Sequence, residues 1–146
     1  MSNLTIDKKI QINASIDKVF EFLTDPAKIP LVLPGLIENT NIPKLPLKVG
    51  SKFNYKYQMY GAILEGTWTV TEIKSPDSYK AKTDGDAASN WSYKLSKKGA
   101  GTSVGIKIEY EVPKSVLSKV KVNIIKSINE KAVDQYLHNL KTVLEM

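Results

Sequence analysis

The chain contains no cysteine, no arginine and a single histidine. Without cysteine there are no disulfides, no thiolate nucleophile and few of the usual structural zinc sites. His138, one histidine without cysteine, cannot supply a Ser-His-Asp or Cys-His arrangement with any redundancy, and neither a metal nor a cofactor is expected. Its place near the end of a helical pattern suits the negative pole of a helix dipole. The missing arginine removes the planar fork that reads guanine edges and stacks on bases, and no specific nucleic-acid site is expected. All 21 basic residues are lysines, and they leave a net charge of +6. They are scattered, with no cluster denser than Lys8-Lys9 and Lys97-Lys98. A solvated basic surface follows, with weak attraction to an anionic membrane face as its second use. No apolar run approaches the roughly 20 residues that cross a bilayer. Met1 to Asp7 lacks the basic and apolar regions of a secretory signal, which points to a cytoplasmic location.

What is present is a chain of 146 residues with 42% hydrophobic and 25% charged content, ordinary for one globular domain spanning residues 1–146. Alternation of period two dominates it. Leu4, Ile6, Ile10 and Ile12 share one face of a first strand, and Lys8 breaks that parity, which suggests a bulge or a strand end. Asn13 to Asp17 opens a helix, capped by Ser15 or Asp17, that buries Val19, Phe20, Phe22 and Leu23. Asp25-Pro26 ends it and starts a second short helix, closed by Pro30 and Pro34-Gly35. Further strands read Leu36 to Ile42, Phe53 to Met59, Leu64 to Thr71, Tyr79 to Thr83, Trp91 to Leu95 and Val104 to Val112. Turn residues separate them at Gly50, Tyr60-Gly61-Ala62, Ser75 to Ser78, Asp84 to Asp86 and Lys98 to Gly101.

After Pro113 the period changes. An apolar stripe runs through Leu117, Val120, Ile124, Ile128, Ala132, Tyr136, Leu140 and Val143, with an average step of about 3.7 residues. It predicts one unbroken helix, capped by Ser115. The order of strand, two short helices, six strands and a long helix makes an α+β domain with a meandering antiparallel sheet. A curved sheet around so long a helix leaves a gap between them.

Several stretches resemble a known family. Ile16-Asp17-Lys18-Val19-Phe20 leading to Asp25-Pro26 and Leu33-Pro34-Gly35 looks like the opening of the polyketide cyclase/dehydrase and lipid-transport group. That group belongs to the START-like helix-grip (SRPBCC) superfamily. The opening is also similar to that of the superfamily's carbon monoxide dehydrogenase G branch. Leu47 to Phe53 resembles the group's turn into the third strand, and Trp91 to Leu95 with Gly101 to Val104 resembles its hairpin. Leu137 to Glu145 resembles its closing helix. The glycine-rich loop of the plant pollen-allergen branch is missing, since Pro43 to Gly50 stands there. The resemblance implies a seven-stranded curved antiparallel sheet gripping the carboxy-terminal helix, and binding of hydrophobic small molecules between them. No catalytic set carries over.

The face expected to meet the helix carries Phe53, Tyr55, Tyr57, Met59, Trp68, Tyr79, Trp91, Tyr93, Ile106, Ile108 and Tyr110, facing Leu117, Val120, Ile124 and Ile128. Five of the sheet positions are tyrosines, and a buried phenol needs a partner. Rings mixed with phenol tips suit a cavity for an amphiphilic ligand rather than a dry core. Glu65, Glu109 and Glu111 fall on the opposite parity. Among ionisable groups only the tyrosines and Lys8 are candidates for the interior. The leading expectation is a carrier or sensor of a lipid, isoprenoid, quinone or polyketide-like ring compound. The alternative is a small cyclase or dehydratase that orients its substrate with Tyr55, Tyr57, Tyr93 and Tyr110.

Overall fold

The computed structural model describes residues 3–146. Strand β1 (Asn3–Ile12) is followed by helix α1 (Ile16–Leu23) and a 3₁₀ turn at Ile29–Leu31. Then come β2 (Leu36–Thr40), β3 (Lys52–Met59), β4 (Ala62–Lys74), β5 (Ser78–Thr83), β6 (Ser89–Lys98) and β7 (Gly101–Glu111). Helices α2 (Lys114–Leu117) and α3 (Val122–Leu144) complete the domain. All seven strands form one antiparallel sheet in the order β1-β7-β6-β5-β4-β3-β2. From β2 to β7 each strand pairs with its neighbour in sequence, as tight turns dictate, and β1 joins β7. The α+β helix-grip architecture is therefore the observed one.

Local details depart from the pattern reading. Strand β1 has no bulge at Lys8: its register with β7 runs without a break from Asn3↔Glu111 to Ile12↔Thr102. Lys8 stays on the inner face and meets Asp134 of α3 at 3.4 Å, its long stem carrying the charge to the edge. Ser15 is the cap of α1, accepting from the Lys18 amide at 3.3 Å. The second short helix shrinks to the 3₁₀ turn, with Pro30 inside it. Strand β2 stops at Thr40, and Asn41 takes φ 55°, a left-handed conformation that asparagine tolerates. Strand β7 ends at Glu111, one residue short of Val112.

The largest correction concerns the final helix, which is broken at residues 118–121. Helix α2 starts after Pro113, with Ser115 inside it rather than at its cap, and α3 starts after an extended Lys121. Neither helix has a side-chain cap. No glycine or proline causes the break. The reason is burial: Val116 and Ile125 both enter a small cluster with Val112. Residues nine apart on one straight helix point in directions about 180° apart. Both can face that cluster only if the helix stops and restarts with a new phase. The inward line of α3 is accordingly Ile125, Val133, Tyr136, Leu137, Leu140 and Leu144. The stripe expected from sequence coincides with it only at Tyr136 and Leu140.

The far end of α3 is fastened to the start of the chain. The Glu145 carboxylate accepts from the Asn13 amide at 2.8 Å and from Lys141 Nζ at 2.6 Å. Lys141 also donates to the Gln11 carbonyl, and Lys18 Nζ to the Leu144 carbonyl, each at 3.0 Å. The Asn13 amide and then Lys141 hold the Glu145 pKa below its ordinary value. A carboxyl whose folded pKa is depressed adds stability above its unfolded pKa and loses it as pH falls through the folded value. Glu145→Gln is therefore expected to lower the melting temperature slightly at pH 7. The difference from wild type should shrink as the pH falls below the ordinary glutamate value of about 4.3 and vanish once the depressed folded value is passed, which thermal scans across pH would follow.

Candidate functional site

The inner faces of β3 to β7 and the inward line of α3 do not close on one another. They leave a cavity of about 130 Å³. Its floor is a ladder of rings set by strand register: Phe53 stands opposite Trp68, and Tyr79 opposite Tyr93. Such pairs share one sheet face and interact across the strands. Phe53 stacks on Trp68 with ring centres 5.8 Å apart, Trp91 tilts against Trp68 at 5.3 Å, and Tyr79 stacks on Tyr93 at 5.7 Å. Tyr55, Tyr57 and Met59 continue the wall along β3, and Ile108 and Tyr110 form it on β7. The roof comes from Leu23 and Pro26 at the end of α1, Ile29, Leu33 and Leu36 beyond it, and Ala132 and Val133 of α3.

Ten of the sheet positions expected from sequence surround this space: Phe53, Tyr55, Tyr57, Met59, Trp68, Tyr79, Trp91, Tyr93, Ile108 and Tyr110. The other five expected positions do not. Ile106 shares the inner face but is sealed in the core. Leu117 and Val120 pack against the cluster of Val112, Val116 and Ile125. Ile124 and Ile128 stand in solvent, 47% and 45% exposed, because the restart of α3 turns their face outward. Missing from the expectation were two asparagines, Asn39 and Asn129, and the small residues Ala87 and Ala88, while Ala132, expected on the apolar stripe of the helix, also lines the space. Asn129 lies four residues from both Ile125 and Val133, so it is legible as an inward polar position once the phase of α3 is known.

Most polar groups in the wall already have partners. Tyr93 and Tyr136 hydroxyls share a hydrogen bond of 2.7 Å, and Trp68 Nε1 donates to the Tyr79 hydroxyl at 2.9 Å. The Tyr55 hydroxyl donates to the Asp84 carbonyl at 2.7 Å and accepts from the Ala87 amide at 3.1 Å, so it anchors the loop between β5 and β6. Asn39 Nδ2 donates to the Pro26 carbonyl at 2.8 Å. Asn129 Nδ2 donates to the Tyr110 hydroxyl at 3.0 Å. Gly35, at φ 91°, lies against the Tyr57 ring: a Cβ there would meet Tyr57 Cζ at 2.8 Å.

Burial raises the pKa of these phenols. Tyr57 is pushed up to about 12, by loss of water first and by Tyr110 second. Tyr79, Tyr93 and Tyr136 are also raised, chiefly by burial. Removing water from a phenolate is costly, so the proton stays on. The wall can thus shelter an apolar body and offer O–H groups. Glu65, Glu109 and Glu111 are exposed side chains, and His138 lies on the outer face of α3. Among the described residues, no three His, Cys, Asp or Glu side chains gather as a metal site. None of the described helices is long and apolar enough to cross a membrane.

Residues 3–145 match the family model described as polyketide cyclase / dehydrase and lipid transport. No curated protein matches the chain in sequence. Solved structures share the fold at low identity. A START superfamily protein from Mycobacterium smegmatis superposes with a TM-score of 0.78 at 13% identity, covering 97% of both chains. A conserved protein from Geobacillus kaustophilus gives 0.77 at 15% identity, covering 97% of this chain and 95% of its own. Ginseng major latex-like protein 151 from Panax ginseng gives 0.67 at 19% identity over 97% of both chains.

Proposed function

Because the chain belongs to the polyketide cyclase / dehydrase and lipid transport family, we propose that its cavity takes up one apolar, ring-bearing small molecule, and that the protein serves as carrier or sensor of it. The observation that carries this reading is the cavity itself, of about 130 Å³ and walled by stacked rings and aliphatic side chains. Protein interiors are otherwise packed like organic crystals. A space of this size left unfilled by the chain's own side chains calls for a use. A dry apolar cavity of about 150 Å³ accepts benzene, which sets the scale of the group held.

Carriage or sensing is favoured over catalysis by the ionisable groups present. The phenols of the wall hold their protons more tightly than usual, whereas general bases work best with a pKa near the operating pH. The proposal is tested by native mass spectrometry after gentle purification, and by titration with a fluorescent apolar probe competed by lipids and ring ketones. One ligand per chain is expected. A chain that takes up no apolar molecule under either condition would rule the reading out.

A further inference from the structure

The cavity is not uniformly apolar, and at one end two phenols still have a proton to give. Tyr57 comes from β3 and Tyr110 from β7, strands far apart in the sheet order. The curl of the sheet brings the ends of these strands together: Tyr110 packs around the same small cluster as Met59, the next inner-face residue after Tyr57, and Tyr57 and Tyr110 line the same cavity. Among the described residues no hydrogen bond holds the Tyr57 hydroxyl, unlike those of Tyr55, Tyr93 and Tyr136. Its ring is nevertheless set in place by the bare backbone of Gly35. The Tyr110 oxygen accepts from Asn129 Nδ2 at 3.0 Å. That bond occupies a lone pair and leaves the O–H proton to a different partner, a donor strengthened by the bond it accepts. Two side chains therefore present O–H donors to a space whose lining is mostly carbon, with the Asn39 Oδ1 acceptor as a further unpartnered polar atom in its wall. An acidic neighbour, Glu130, adds a charge that opposes any anion beside Tyr110.

We propose that Tyr57 and Tyr110 form a two-phenol clamp for a neutral hydrogen-bond acceptor, a ketone or ring carbonyl, on the bound molecule. This rests on the cavity reading above and adds to it a ligand class: an apolar ring carrying an uncharged carbonyl rather than a hydrocarbon or a carboxylate. Asn129 acts as a positioning residue, since it orients the Tyr110 hydroxyl and does not itself serve as the clamp.

The experiment compares acetophenone with α-methylstyrene, its isostere with CH₂ in place of the carbonyl oxygen, and with benzoate. Each is titrated by NMR into wild type, Tyr57→Phe, Tyr110→Phe and the double variant. A hydrogen bond of ordinary net strength corresponds to about fivefold to tenfold in affinity. Each single variant is expected to weaken acetophenone by about that factor and to leave α-methylstyrene unchanged, which also shows that the variant is folded. The carbonyl ¹³C resonance of bound acetophenone should lie downfield in wild type and return upfield in the double variant. Hydrocarbon binding with no effect of either variant on the ketone overturns the clamp and leaves the cavity reading intact. Failure of both neutral probes to bind overturns the two together. Benzoate binding more tightly than acetophenone overturns the preference for a neutral group.

Discussion

Gly66→Ala is expected to cost about 3–5 kcal/mol, among the larger effects a single methyl group can have. Gly66 lies in the middle of β4, opposite Tyr55 of β3. A Cβ there would sit 2.0 Å from the Asp84 carbonyl oxygen and 2.6 Å from the Tyr55 hydroxyl. The first of these is backbone and cannot swing aside. It belongs to the loop that carries on the pairing of β4 where β5 ends. The Asp84 amide donates to the Thr67 carbonyl at 3.1 Å, and the Asp86 amide to the Glu65 carbonyl at 3.0 Å. In return the Asp84 and Asp86 carboxylates accept from the Thr67 and Glu65 amides. A methyl group would push the loop off β4, break these four bonds and loosen the anchor of Tyr55. The melting temperature should drop by about 10 °C or more, and the amides of Glu65, Thr67, Asp84 and Asp86 should lose protection from hydrogen exchange. Gly105→Ala on β7 is the control. Its Cβ would meet nothing nearer than 3.8 Å, and it should be neutral or slightly stabilising by restricting the unfolded chain. Equal effects of the two substitutions would refute the close-approach argument.

The second large effect separates stability from binding. Ala132 lines the cavity from α3, and Ala132→Phe would project a ring into a space of about 130 Å³. Burying that ring contributes about 1.5–3 kcal/mol, less about 0.5 kcal/mol for the poorer helix propensity of phenylalanine. The variant should therefore melt at the same temperature as wild type or a few degrees higher. Uptake of an apolar fluorescent probe, by contrast, should weaken by about a hundredfold or disappear. Most substitutions that abolish binding do so by destabilising the protein, so the combination of a firmer fold with lost uptake is diagnostic. Retained uptake in a variant of normal stability would mean that ligands bind elsewhere. A strongly destabilised variant would mean that the space is too small for a ring.

The site was legible wherever it depended on strands. Phe53, Tyr55, Tyr57 and Met59 alternate, and a period of two assigns a face without knowledge of any other strand. The same holds for Trp91 and Tyr93, and for Ile108 and Tyr110. Ile106 shows the limit of that rule: parity tells which face a residue shares, not whether the opposite layer reaches it. Gly66 carried a readable signal, because a lone glycine within a strand pattern marks a close backbone approach. The partner that approaches, the Asp84 carbonyl, had no such mark.

The helix shows where local reasoning stops. An apolar stripe from Leu117 to Val143 fits one continuous helix as well as any local rule can judge. Its phase was decided by a contact between Val116 and Ile125 through Val112, and no periodicity within the segment encodes a neighbour on another element. Shifting the phase moved Ile124 and Ile128 into solvent and carried Asn129 inward to Tyr110. Composition, alternation and turn residues thus sufficed for the class of fold, the antiparallel meander from β2 to β7 and the ring-bearing face, all of which are written in short-range patterns, whereas the pairing of β1 with β7 is a long-range contact. The space between the layers, and the pair of phenols at its end, came only with packing. Both depend on how far a curved sheet and a broken helix fall short of touching, a distance that no stretch of chain holds by itself.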